Sequence, residues 1–240
     1  LRMLALIASS LLWLASLSLS APTIGLIGRV GDFDDIESLL RGNPFQERAI
    51  TATPLSKEDI AEEAFDAEIF KKELMLEYNF YRDLHESAPL SLDKKLCRRA
   101  ALWAEYLATA PSDKCLHHSL YGGENIYFFW STRAINETEL ARKACKAFYE
   151  EVKFYNYEEP GMVWPAAHFT EMVWKSVKKM GVGVFKTNYI DEHGACRIQG
   201  TAERPATGYF VVVHHLPRGN IMSPREFAAN VLPPKGNFTE

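Results

Sequence analysis

Four ionisable side chains sit inside aromatic or glycine-rich stretches rather than on solvated charge runs. They are His118 in CLHHS, Glu124 in YGGENIYFFW, Glu151 in FYEEVKFYNY and His168 in HFTEMVWK. Two neutral imidazoles can hold a divalent ion, and carboxylates can orient them through the second ring nitrogen or take a proton from a bound water. A metal-dependent hydrolase would use Glu151 or Glu124 as its general base, although two protein ligands are fewer than the three usual at catalytic zinc. The same four residues could also form a buried polar network that does no more than shape a cleft. Spacing alone does not join the histidines, because no H-E-x-x-H run places both on one helical face. His117 is a competing ligand beside His118. His85, His193, His214 and His215 read as surface or strand-end residues, with His214 and His215 able to line a cleft.

The elements that must position these groups are legible from periodicity. A helix start at Ser56, followed by Glu58 and Asp59, leads into Phe70, Leu74, Tyr78 and Tyr81, with Pro89 as the stop. Leu96, Ala100, Trp103 and Leu107 predict a second helix ended by Pro111. A third follows Asn136, which caps it while Glu139 reaches back, and carries Leu140, Ala144, Phe148 and Val152 until Pro160 and Gly161. GVGVF at 181–185 and YFVVV at 209–213 are short, β-branched and glycine-bounded, as antiparallel strands should be. Helices first and strands last predict an α+β layered domain rather than an alternating parallel one.

The chain has 240 residues, 24% of them charged, with a net charge of -4. That balance supplies no basic field for nucleic acid. The acidity is local: from Pro22 to Glu68, eleven acidic residues face Arg29, Arg41, Arg48 and Lys57, leaving the remainder beyond Glu68 slightly basic. Residues 1–20 contain the apolar run MLALIASSLLWLASLSL and read as a secretory signal. Residues 21–66 read as an irregular acidic leader, 67–236 as the folded domain and 237–240 as a tail. Asn136 and Asn237 fit the N-glycosylation pattern. Cys97, Cys115, Cys145 and Cys196 could form two disulfides in any of three pairings or remain buried thiols.

The segment AHFTEMVWKSVKKMGVGVF at 167–185 resembles the signature of the CAP superfamily of cysteine-rich secretory, venom allergen and plant pathogenesis-related proteins. GGENI at 122–126, AFYEEVKFYNY at 147–157 and FVVVHHLPRGNIMSPREFAANVLPP at 210–234 follow the same pattern in order, most similar to the Golgi-associated plant-pathogenesis-related branch. The resemblance implies an α-β-α sandwich, a small antiparallel sheet between helical layers, with a wide central cleft. By motif, the cleft tetrad falls on His118, Glu124, Glu151 and His168, and the two histidines bind zinc or another divalent cation in some members. Asn79 and Arg82 match a first-helix motif with a structural role, and Tyr78 stands where that motif usually has histidine. The interval between His118 and Glu124 is shortened, which keeps His117 in play. A stretch from about 187 to 207, with Cys196, is an insertion.

The function this implies is a secreted, non-enzymatic module that takes lipid or sterol and a divalent metal in its cleft. Its partners would be lipid or sterol, an extracellular protein and a second copy in a homodimer. Tyr127, Phe128, Phe129 and Trp130 offer aromatic surface for such a ligand, or core packing.

Overall fold

The computed structural model describes residues 65–109, 116–189 and 206–236. Helix α1 (Ala67–Leu84) begins at Asp66, whose carboxylate accepts the Glu68 and Ile69 N–H groups and so satisfies two donors that a helix start leaves open. Ser56, expected to start this helix, lies outside the described residues. The helix ends at Leu84, short of Pro89, with His85 as its cap. Strand β1 (Ser91–Leu92) leads into α2 (Lys94–Thr109), and β2 (Glu124–Ser131) leads into α3 (Glu137–Tyr149). Two 3₁₀ turns, Glu150–Phe154 and Trp164–Ala166, precede α4 (Ala167–Val173). Strands β3 (Lys179–Tyr189) and β4 (Ala206–Leu216) form a hairpin, and α5 (Pro224–Asn230) follows.

The sheet order is β1-β3-β4-β2, antiparallel except where β1 runs parallel to β3. Its period of two divides the core. Tyr209, Val211 and Val213 face α1, α3 and α4, whereas Phe210 and Val212 face α2. This is the three-layer α-β-α sandwich expected from the motifs. On β3 a Cβ at Gly181 or Gly183 would lie 2.2 Å from the α2 backbone, so glycine is what lets that helix lie against the strand.

The sequence pattern understated the strands and passed over others. Both hairpin strands run well beyond the expected five residues, and Asn188 and Tyr189 pair with Thr207 and Ala206, so the ends of the expected insertion are sheet. Residues 190–205 lie outside the described part. Strand β2 went unrecognised because its aromatic run, Tyr127 to Trp130, shows no alternation. Its Phe128 packs on the α2 side against Phe210, and Tyr127 and Phe129 pack on the other side. These three are therefore packing residues rather than a ligand surface, and only Trp130 is exposed.

Capping of α3 also departs from expectation. Asn136 accepts the Glu139 N–H at 2.8 Å, but the Glu139 carboxylate turns to Arg133 instead of back to the cap, because an arginine in reach offers a charge-assisted, two-pronged contact. Asn136 is exposed, and Asn237 lies outside the described residues. Cys97 and Cys145 are buried free thiols: one accepts the Val182 N–H and the other donates to the Leu74 carbonyl. Cys115, Cys196 and His193 lie outside the described residues.

Arg82, wholly buried, donates to the carbonyls of Ala88, Met172, Trp174 and Val177 and thereby ties α1 to the chain after α4. Asn79 holds Leu90 through both backbone groups. His85 is buried, not superficial. Its ring meets the Leu232 carbonyl and the Tyr149 hydroxyl, and burial lowers its pKa. Among the described residues no helix is long and apolar enough to cross a membrane.

Candidate functional site

Residues 118–123, the start of β2, Met162 and Trp164, α4 and the turn at 218–222 line a cleft of about 530 Å³. His118, Glu124 and His168 line it, and Glu151 stands behind His168. The fold thus brings together the four residues that spacing could not join.

Two histidine–carboxylate pairs result. His118 donates from Nδ1 to Glu124 Oε1 at 2.8 Å, and the same oxygen accepts the Ser119 N–H at 2.9 Å. Oε2 of Glu124 accepts the Ser119 hydroxyl at 2.6 Å and His214 Nε2–H at 2.8 Å. Burial pushes the Glu124 carboxyl up, but the hydrogen bonds from His118, His214 and Ser119 outweigh it and bring the pKa down to about 2. The hydrogen bond to Glu124 raises the pKa of His118 in turn.

In the second pair His168 donates from Nδ1 to Glu151 Oε1 at 2.7 Å. Glu151 Oε2 accepts the N–H groups of His168 and Phe169, so one carboxylate orients the imidazole and caps the start of α4. Phe148 stacks on the His168 ring. Asn125 links the pairs: next to Glu124 on β2, it donates to the His168 carbonyl at 2.9 Å and to the Tyr78 hydroxyl at 3.0 Å. Tyr78, in the place usual for histidine, therefore serves as an acceptor buried behind the cleft.

In both histidines Nδ1 is engaged by a carboxylate, which leaves Nε2 as the nitrogen able to ligate a cation. This is the chemistry by which carboxylate–histidine pairs present a ring to a divalent metal, so the donors fit such an ion. Among the described residues no three His, Cys, Asp or Glu side chains gather as a metal-binding group. His117 stays out: its ring packs edge-on against Trp103 and Tyr106 of α2, away from the cleft lining. Both oxygens of Glu124 are filled and its side chain is 1% exposed, a poor arrangement for a base that must reach water.

Sequence reasoning missed Glu171 and Arg218, and read His214 and His215 as surface or strand-end residues able to line a cleft. Glu171 lies three residues after His168, a spacing that places both on one face of α4, and that spacing was the available signal. It is 2% exposed, accepts the Gly219 N–H at 2.9 Å, and burial raises its pKa to about 7. His214 and His215 are wholly buried rather than at the surface. Burial, with Arg82 nearby, lowers the pKa of His215 to about 3. Arg218 lines the cleft and packs across Gly122 and Gly123; Gly123 has φ +84° and could not carry a side chain there without strain.

The mouth is apolar. The three most exposed large hydrophobic residues among those described, Leu120 (89%), Trp164 (75%) and Met222 (69%), all border this one cleft, each from a different connecting segment. Contiguous exposed apolar groups mark interaction sites more often than isolated ones.

Comparison with known proteins gives a consistent result. The profile of the cysteine-rich secretory protein family, CAP, matches residues 76–213. The chain is 36% identical over 168 residues to the Golgi-associated plant pathogenesis-related protein 1 of Homo sapiens, covering 69% of this chain and 94% of that protein. It is 25% identical to the protein PRY2 of Saccharomyces cerevisiae, over 68% of this chain and 41% of PRY2. Among solved structures, MpPR-1i aligns with TM-score 0.47 at 15% identity, over 69% of this chain and 98% of the other. NaASP2 with Zn2+ aligns with TM-score 0.47 at 17% identity, over 72% and 89%.

Proposed function

The chain belongs to the cysteine-rich secretory protein (CAP) family, and from that premise we propose that it is a secreted, non-enzymatic module whose central cleft takes lipid or sterol together with a divalent cation. The observation that carries this reading is the composition of the cleft. Its lining includes two carboxylate-oriented histidines, and Leu120, Trp164 and Met222 beside them face solvent. An amphipathic ligand matches both features: an apolar body covers the exposed hydrophobic side chains and a polar group meets the histidines. Zinc or another divalent ion would be held by His118 and His168 and would supply a positive charge there. Glu124 and Glu151 hold the Nδ1 protons and so keep Nε2 available.

The export signal at 1–20, the glycans at Asn136 and Asn237, an extracellular protein partner and a homodimer belong to the same proposal. At Asn136 the arrangement is compatible with a glycan, since the cap uses Oδ1 and leaves Nδ2 free for the sugar. The hydrolase reading finds neither candidate base free, because both oxygens of Glu124 and both oxygens of Glu151 already accept hydrogen bonds.

The test is equilibrium binding of zinc, a fluorescent sterol and a fluorescent fatty acid to the full chain, its Trp164→Ala variant and the His118→Ala/His168→Ala pair. Trp164→Ala should weaken lipid binding about tenfold, the equivalent of roughly 1–2 kcal/mol of apolar contact, and the double variant should lose zinc. Lipid binding unchanged by Trp164→Ala would place the ligand elsewhere. Metal-dependent turnover of a peptide or ester that disappears in Glu151→Gln would overturn the non-enzymatic reading.

A further inference from the structure

Glu124 and His214 stand directly opposite each other in the β2–β4 register. Opposed residues of antiparallel strands share a face and bring their side chains together. Here the contact is Nε2 to Oε2 at 2.8 Å between two side chains that are each 1% exposed. His214 is thus the one donor to this carboxylate, among the described residues, that comes from the sheet; His118 and Ser119 both come from the segment before β2. The other ring nitrogen of His214, Nδ1, is buried without a hydrogen-bond partner, and the Tyr121 ring lies 4.6 Å away, centroid to centroid. A wholly buried histidine that spends one nitrogen on a carboxylate and leaves the other unsatisfied is costly as packing alone.

We propose that His214 is a positioning residue of the cleft: its Nε2–H anchors the Glu124 carboxylate to β4, so that Glu124 holds His118 as the Nδ1–H tautomer with Nε2 free for a divalent cation. The inference rests on the metal reading above for its purpose, but its geometry stands apart from it. Without His214, Glu124 Oε2 keeps only the Ser119 hydroxyl, which belongs to the same segment as the imidazole being positioned. The carboxylate then has no fixed partner on the far side, and the His118 ring is free to exchange tautomers. The metal site thereby extends into a line of three side chains, His118, Glu124 and His214, that runs from the cleft into the sheet.

The experiment uses the full chain with His214→Leu, His214→Asn and His214→Gln. Glutamine places an N–H donor near the position of Nε2, whereas asparagine stays polar but falls short. Nitrogen-15 NMR of the metal-free proteins at one fixed pH reads the His118 tautomer, calorimetry with zinc alone reads affinity, and thermal melts confirm folding. The parent and His214→Gln should show the single Nδ1–H tautomer and zinc affinities within a few-fold of each other. His214→Leu and His214→Asn should show mixed tautomers and zinc binding weaker by about 10–100-fold, the usual loss when a ligand's hydrogen-bond partner is removed. Should the leucine variant not fold, asparagine decides. A parent-like tautomer in His214→Asn overturns the proposal, as does equal loss in folded glutamine and asparagine variants. A parent that takes up no zinc sinks the metal reading alone, since the tautomer still decides what His214 does.

Discussion

Glu171 and His215 form an opposed buried pair at the residue scale, 3.5 Å apart behind the cleft, and their shifts predict how stability follows pH. The Glu171 pKa is raised to about 7 by burial, so between the ordinary carboxylate value and 7 the folded state holds a proton that the unfolded chain has released. Its contribution to stability is complete in acid and is lost as pH rises through 7. His215 is lowered to about 3, so its contribution is complete above the ordinary imidazole value and is lost as pH falls through 3. Over their common range the two slopes cancel. Glu171→Gln keeps an acceptor for the Gly219 N–H and removes the titration. Urea unfolding from pH 4 to 8 should show this variant gaining on the parent progressively above pH 4.5, by up to about 3 kcal/mol at 1.36 kcal/mol per pH unit. A difference independent of pH would mean that the Glu171 pKa is the same in the folded and the unfolded chain.

The decisive contact at the element scale is the seat of α2 on β3. A Cβ at Gly183 would fall 2.2 Å from the carbonyl carbon of Ala100, inside backbone that cannot swing aside as a side chain would. Gly183→Ala should destabilise by about 1–3 kcal/mol or more in denaturant melts, because overpacking here separates a helix from its sheet. The same substitution at Gly161, where nothing lies within 4 Å, should be close to neutral. Legibility varied at this scale for physical reasons. Helices α1, α2 and α3 show one apolar stripe each and were readable. Strand β4 is buried on both faces, so its run of valines marks a strand without marking its length. Strand β2 turns alternate aromatics to two different cores, and an all-apolar stretch carries no signal of which residue faces which.

At the scale of the whole molecule, the chain is organised around keystones that cross layers. Arg82 caps carbonyls near α4 from α1, and Asn125 joins β2 to both α4 and α1. The thiols belong to this interior. Burial raises the pKa of both Cys97 and Cys145, which disfavours the reactive thiolate. A thiol reagent such as dithionitrobenzoate should leave both unmodified in the native chain and label both in denaturant, as peptide mapping will read. Rapid native labelling of Cys145 would show that the α1–α3 interface opens.

By itself the sequence determined the layered α+β class, three helices, the hairpin strands and the four cleft residues, because periodicity and long motifs are local properties of the chain. Only the tertiary structure decided that His118 rather than His117 faces the cleft, that Glu139 serves Arg133, and that Glu171 and His214 belong to the site. A histidine at a strand end looks the same in one dimension whether it meets water or a carboxylate ninety residues away. Strand register and burial choose between them, and both arise only when β2 and β4 pair.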